Sequence, residues 1–381
     1  MFGISILFLS GCALEQIHIN TNEPLTFEKV AVQSNEYLYY PYEIIEHDGG
    51  YAICGSRYEK ASQKREGFLV LIDSLGIFRH EREEKAQIHS MVPIELGFMT
   101  TGYNGKNSQD RQLFVKSFIQ VQGQPFEPTY IEIAESVGYD LIQTRDGNFL
   151  VAGYTTQNAS KPALLMKLGP FVESETIWKK TFAPEGNNSF RAFYHIEEKS
   201  DGSLIAFDGI NILFLDEDGN LQNTVTLENY FNIGSFHKAF LLSKDGDFII
   251  ANNRNLSIDL PSSLIKFNAS GQEEIRKEYG NLYRFEALRP TLDGGYVVCG
   301  STREFGNGGS DAFLLKVDAE LNQEWFRTYG GALDEYAYDA IQTSDGGFMV
   351  IGSDQTISQS DALSGDTGLL VVKTDSEGVV R

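Results

Sequence analysis

Short apolar runs alternating with polar residues recur along the whole chain, and seven of them open on an aromatic residue or leucine just after a turn-forming segment. The clearest copies are Asp293-Gly294-Gly295-Tyr296-Val297-Val298-Cys299-Gly300 and Asp345-Gly346-Gly347-Phe348-Met349-Val350-Ile351-Gly352. Anchored on the opening residue, the runs begin at Tyr51, Phe98, Phe149, Leu204, Phe248, Tyr296 and Phe348, at steps of 47, 51, 55, 44, 48 and 52 residues. The sixth unit parses into four strands at 285–291, 296–301, 312–318 and 324–329, with a turn at 292–295. Four-stranded units at this spacing are the sequence signature of β-propeller blades. The pattern predicts an all-β fold, a single seven-bladed propeller.

The ends of the chain predict how the ring closes. The last unit supplies three strands, the third at 368–374, while 25–33 (Leu-Thr-Phe-Glu-Lys-Val-Ala-Val-Gln) is a strand with no unit of its own. Pairing this N-terminal strand with the last blade removes an exposed sheet edge. Asp-Gly pairs at 48–49, 146–147, 201–202, 245–246, 293–294 and 345–346 read as hairpin turns, and unit two substitutes Glu95-Leu96-Gly97. The connections from second to third strand are long and variable, except in unit four, where Asp208-Gly209 suffices. They share a face with the entries to the innermost strands, the layout of a binding surface.

Charge and cysteines narrow the function classes. A formal charge of −22 without a Lys/Arg cluster argues against sequence-independent binding to nucleic acid or to an anionic membrane surface. No segment is apolar for long enough to span a bilayer as a helix. The apolar stretch 2–9 leads into Leu9-Ser10-Gly11-Cys12, which resembles a bacterial lipoprotein signal, although no Lys or Arg precedes it. That resemblance implies a signal segment at 1–11, a lipid-modified Cys12 with a tether to residue 24, and the propeller over 25–381. Ala13 in place of Asp favours, by analogy, an outer-membrane lipoprotein of the cell envelope, facing the periplasm or the surface. Cys54 and Cys299 hold the same register position on non-neighbouring units, too far apart for a disulfide, and read as buried apolar residues.

The segments 339–348 (Asp-Ala-Ile-Gln-Thr-Ser-Asp-Gly-Gly-Phe), 309–318 (Gly-Ser-Asp-Ala-Phe-Leu-Leu-Lys-Val-Asp) and 325–331 (Trp-Phe-Arg-Thr-Tyr-Gly-Gly) resemble a family of exported and lipoprotein repeat propellers of Bacteroidota type. The resemblance covers most of the chain and implies the fold without carrying over a catalytic residue. A more distant likeness to quinoprotein propellers lacks their repeated Gly and Trp docking elements. Trp178 and Trp325 are the only tryptophans and read as fillers between blades.

Candidate chemistry lies on the axis. A gap-free alignment puts Tyr42, His89, Asp140, His195, Ala239, Ala287 and Asp339 nine residues before each register aromatic. The polar members Tyr42, His89, Asp140, His195 and Asp339 suit holding ordered water, hydrogen-bonding a ligand, or binding a cation, and no short ligand spacing marks a dedicated metal site. No cofactor is implied. Tyr39, Tyr40, Tyr139, Phe193, Tyr194, Phe236, Phe285, Tyr336 and Tyr338 crowd the same approach, as inter-blade packing or as a platform for a sugar or peptide. The run Asp216-Glu217-Asp218-Gly219-Asn220 fits a turn between third and fourth strands, because Leu221 and Leu227 stand where a calcium loop needs Gly and Glu. Three classes remain: an envelope binding or scaffold protein engaging a protein partner, a glycan- or peptide-binding propeller, and a polysaccharide hydrolase or lyase using Asp140 or Asp339 with His89 or His195.

Overall fold

The computed structural model describes residues 27–28, 36–74, 76–95, 97–105, 111–119, 130–157, 161–170, 176–182, 192–227, 240–243, 246–253, 261–280, 283–356 and 366–380. The signal, Cys12 and the tether lie outside the described residues, as do Phe236 and Ala239. Seven four-stranded antiparallel sheets follow one another in chain order, one per repeat unit. In the sixth blade the strands are Tyr283–Pro290, Tyr296–Thr302, Asp311–Val317 and Gln323–Tyr329, within two residues of the boundaries read from the sequence. In the seventh, Phe27–Glu28 pairs with Asp366–Thr374 at Phe27↔Lys373, so the N-terminal strand closes the ring. The remainder of 25–33 lies outside the described residues.

The apolar face of each strand packs against the next blade. One cluster joins Ile53 and Phe68 of blade one to Ile351 and Val371 of blade seven. Others join Cys54 to Phe98, Met99 to Val151, and Leu165 to Ala206 around the ring. Cys54 and Cys299 are both buried in these seams, in different clusters. The tryptophans close two of them. Trp178 of blade three lies over Gly219 of blade four, where a Cβ would sit 2.8 Å from the indole, and Trp325 of blade six lies over Gly378 in the same way at 2.7 Å. Both glycines also hold positive φ, +75° and +72°, so two requirements select glycine there.

The Asp of the Asp-Gly turn has a second partner. Lysines of the third strands reach it: Lys167–Asp146 at 2.7 Å, Lys316–Asp293 at 2.8 Å and Lys373–Asp345 at 2.9 Å. Lys373 reaches both carboxylate oxygens of Asp345, and one of them also accepts the Thr343 hydroxyl and the Gly347 N–H. Turn and third strand are thus tied by one carboxylate. At the turns that follow the third strands, at the same end of the blades, Asp216, Asn268, Asp318 and Asp375 each accept two backbone N–H groups, which confirms 216–220 as a third-to-fourth-strand turn.

Lys373 is 1% exposed as a side chain, so its ammonium depends on Asp345. The Asp345→Ala substitution is expected to destabilise the fold by about 3 kcal/mol in urea unfolding, because it leaves a buried charge uncompensated. Lys373→Met, which removes that charge and keeps the stem, should cost less. The reverse order would contradict this role for the pair.

Candidate functional site

The innermost strands carry a bulge near the end that faces the long loops. Register shifts fall between Pro41 and Glu43, Ile88 and Ser90, Gly138 and Asp140, Phe285 and Ala287, and Ala337 and Asp339. A bulge sets two residues opposite one on the partner strand and re-aims their side chains. The result is two tiers around the axis. The upper tier is Tyr42, His89, Tyr139, Glu286 and Tyr338, with Tyr194 alongside in blade four. The lower tier is Glu43, Ser90, Asp140, His195, Ala287 and Asp339, each opposite the residue three beyond the register aromatic or leucine.

The five sequence-derived residues divide between these tiers. Tyr42 and His89 are upper, while Asp140, His195 and Asp339 are lower. Hairpin length is the cause. Blades one and two turn through two residues, with His47↔Gly50 and Ile94↔Gly97 as the last pairs, whereas blade three pairs Gln143↔Phe149 and needs more. Asp48 and Gly49, at φ 48° and 70°, form the tight version, and Thr144, Thr291 and Thr343 mark the longer one. A one-residue difference shifts the gap-free alignment by one position.

The lower tier is a chain of hydrogen bonds from blade to blade. Glu43 accepts the Met91 N–H at 2.7 Å, the Ser90 hydroxyl donates to Asp140 at 3.2 Å, and Asp140 accepts the Ile196 N–H at 3.0 Å. Glu197 accepts the Leu242 N–H at 3.0 Å, and between blades five and six the link lies above the bulge, where Asn253 exchanges two bonds with the Phe285 backbone at 2.7 and 3.0 Å. Arg289 forks onto Asp339 at 3.1 and 3.0 Å, and Asp339 accepts the Ile44 N–H at 3.3 Å, completing the circuit. Ala287 leaves room for the Arg289 side chain, two residues along the same face, to reach this level. Its guanidinium also lies 3.4 Å from Glu43. These groups roof a cavity of about 350 Å³ that opens toward the short-turn end between blades six, seven and one.

His195 links blades three and four, bonded through Nδ1 to Asp140 of blade three at 3.0 Å and through Nε2 to Glu197 of its own strand at 2.8 Å. Burial disfavours its charged form, but the bonds and attraction of Asp140 and Glu197 outweigh burial and lift the pKa to about 10. Asp140 shows the converse: burial would raise its pKa, but His195 and the N–H groups of Ile196 and Leu141 bring it below the usual carboxylate range.

The upper tier is aromatic. His89 stacks on Tyr42 at 4.8 Å and 7°, and on Tyr103 at 5.4 Å and 18°. Tyr139 meets His89 edge-on at 5.3 Å and touches Tyr154 and Tyr194. Tyr42 and Tyr338 bond Ser56 and Ser353 on the second strands. Of the other predicted approach aromatics, Tyr39, Phe193 and Phe285 are buried in the seams. Sequence reading missed Glu43, Glu197 and Arg289, together with Tyr103, Arg111 and Arg65 at the mouth. The Thr that marks the longer turn was the signal for Glu43, and nothing in the local sequence pairs the others across blades. Among the described residues, no group of three or more His, Cys, Asp or Glu side chains has metal-binding geometry.

No protein-family model matches the chain, and no curated protein matches it in sequence. Solved structures match in fold. A protein of unknown function from Bacteroides caccae is 14% identical, with 78% of this chain and 94% of that chain covered, at a TM-score of 0.44. The Pan2 WD40 domain of Neurospora crassa is 10% identical, with 87% and 88% covered, at 0.51. Sqt1 of Chaetomium thermophilum, bound to the N-terminus of the ribosomal protein L10, is 10% identical, with 89% and 96% covered, at 0.49. Likeness at these identities concerns the propeller architecture alone.

The His195 bridge makes a signed prediction. Its folded pKa of about 10 lies above the unfolded value of about 6.5, so its stabilisation is complete below about pH 6.5 and is lost as pH rises toward 10. The stability difference between the native protein and a His195→Gln variant, from urea unfolding at pH 6 to 10, is expected to shrink steadily across that window. A difference independent of pH would remove the charged bridge from the account.

Proposed function

We propose that the chain is a non-catalytic binding propeller of the bacterial cell envelope, held there by lipid on Cys12, which engages a protein partner with its long-loop face. The observation that carries this reading is the contrast between the two tiers. The lower-tier groups best suited to acid–base work, Asp140, His195 and Asp339, are committed to one another or to backbone N–H groups of the next blade. The aromatic upper tier opens instead on the face where the connections 105–111, 156–162, 253–262, 303–310 and 357–365 emerge. Diverse loops around an aromatic, rigidly held centre form an interface of the kind that proteins use to bind one another. The lipid anchor rests on the Leu9-Ser10-Gly11-Cys12 motif.

Two experiments test the parts separately. A Cys12→Ala variant expressed in a bacterial envelope is expected to leave the membrane fraction and lose incorporation of labelled palmitate, and retention of both would count against the anchor. For the loop face, the full chain would be purified from its native envelope in mild detergent beside a variant whose 303–310 and 357–365 connections are replaced by short Gly-Asn linkers. A stoichiometric partner that is absent from the variant supports the reading, provided the two melt alike. Equal recovery by both forms contradicts it.

A further inference from the structure

We propose that the upper tier of blades one and two binds a carboxylate-rich peptide segment of the partner through Arg65 and Arg111; this rests on the loop-face reading above. Each guanidinium is already ordered on a tyrosine. Arg111 lies 4.6 Å over the Tyr103 ring and donates to the Tyr154 hydroxyl at 2.6 Å, and Arg65 lies 5.0 Å over Tyr40. The stacked rings of Tyr42, His89 and Tyr103 form the wall between them. Arg65 is near enough to offset part of the burial that raises the Tyr42 phenol, which puts it at the other end of that wall from Arg111.

Charge decides the ligand class. In a chain of net charge −22, these two guanidiniums meet no carboxylate among the described residues. Two acids near the mouth are occupied: Glu286 pairs with Arg284 at 2.5 Å, and Asp208 accepts the Ile210 and Asn211 N–H groups and the Asn211 side-chain amide. The stacked rings cover one another's faces, and the Tyr42 hydroxyl is held by Ser56 and the Tyr154 hydroxyl by Arg111. The guanidiniums are the charged groups left to meet a ligand, and they favour an anion. A sugar would use an open ring face, which this stack does not offer, and the geometry therefore favours an acidic peptide over an acidic glycan. Holding Arg65 and Arg111 on aromatic rings before binding also lowers the entropy lost on capture.

The test is fluorescence anisotropy on the full chain with fluorescein-labelled hexaglutamate, set beside hexalysine and an oligogalacturonate of matching charge. Hexaglutamate is expected to bind and hexalysine not to. Affinity for hexaglutamate should fall by at least about tenfold in the R65Q/R111Q variant. An R79Q variant, which removes an exposed charge from the outer strand of blade one, should bind like the native protein. Thermal melts of both variants matching the native protein exclude misfolding as the cause. Failure to bind hexaglutamate, undiminished binding by R65Q/R111Q, or tighter binding of oligogalacturonate would each overturn the proposal. Applying R65Q/R111Q to the envelope purification separates the two readings. If that variant keeps a partner that the loop replacement releases, the loop face stands and the acidic-peptide site falls; if the loop replacement releases nothing, the loop-face reading itself has failed.

Discussion

The hydrogen bond that a backbone N–H of the next blade donates to a channel carboxylate is the interaction on which the rest of this structure depends. Each blade is a separate sheet, so no backbone ladder crosses a seam. The apolar clusters supply most of the energy, because one buried Val, Leu, Ile or Phe contributes about 1.5–3 kcal/mol and several such side chains fill each seam. Apolar contact is not directional and does not by itself fix one innermost strand against the next. Glu43 on Met91, Asp140 on Ile196, Glu197 on Leu242 and Asp339 on Ile44 do fix it, each bond to a charged acceptor being worth about 1.5–3 kcal/mol. Energy and register thus come from different groups.

Burying these carboxylates is tolerable only because every one is compensated. Asp339 is fully buried and takes two bonds from Arg289 and one from Ile44. Asp140 is met by Ser90, Ile196 and His195. The same logic operates within the blades, where Lys316 and Lys373 neutralise the turn residues Asp293 and Asp345. Charge on the axis is therefore structural in its first role. That leaves the aromatic upper tier and the loops around it to meet other molecules.

Much of the fold was legible in the sequence because a blade is a local device. Alternation of apolar residues located the strands of blade six within two residues, and the orphan strand at the N-terminus predicted the closure that Phe27↔Lys373 displays. The axis was only partly legible. Asp140, His195 and Asp339 were found because their blades share one turn length, while Glu43 and Ser90 were displaced by the shorter hairpins of blades one and two, which put Tyr42 and His89 in their place. Arg289 was invisible for another reason. Its importance comes from Ala287 in its own strand and from Asp339 a blade away, and no local pattern couples residues separated by 50 positions. The stacking of Arg111 on Tyr103 and of Tyr42 on His89 likewise exists only once the blades meet.

Native-state hydrogen exchange at the amides of Ile44, Met91, Ile196 and Leu242 tests the central role of the circuit most directly. If the carboxylates hold the blades in register, these amides exchange only through global unfolding, with the free energy and denaturant dependence of an interior amide such as Val350. Exchange at much lower free energy, with the seam clusters still intact, would show that the blades part locally at the axis and that apolar packing alone maintains the ring.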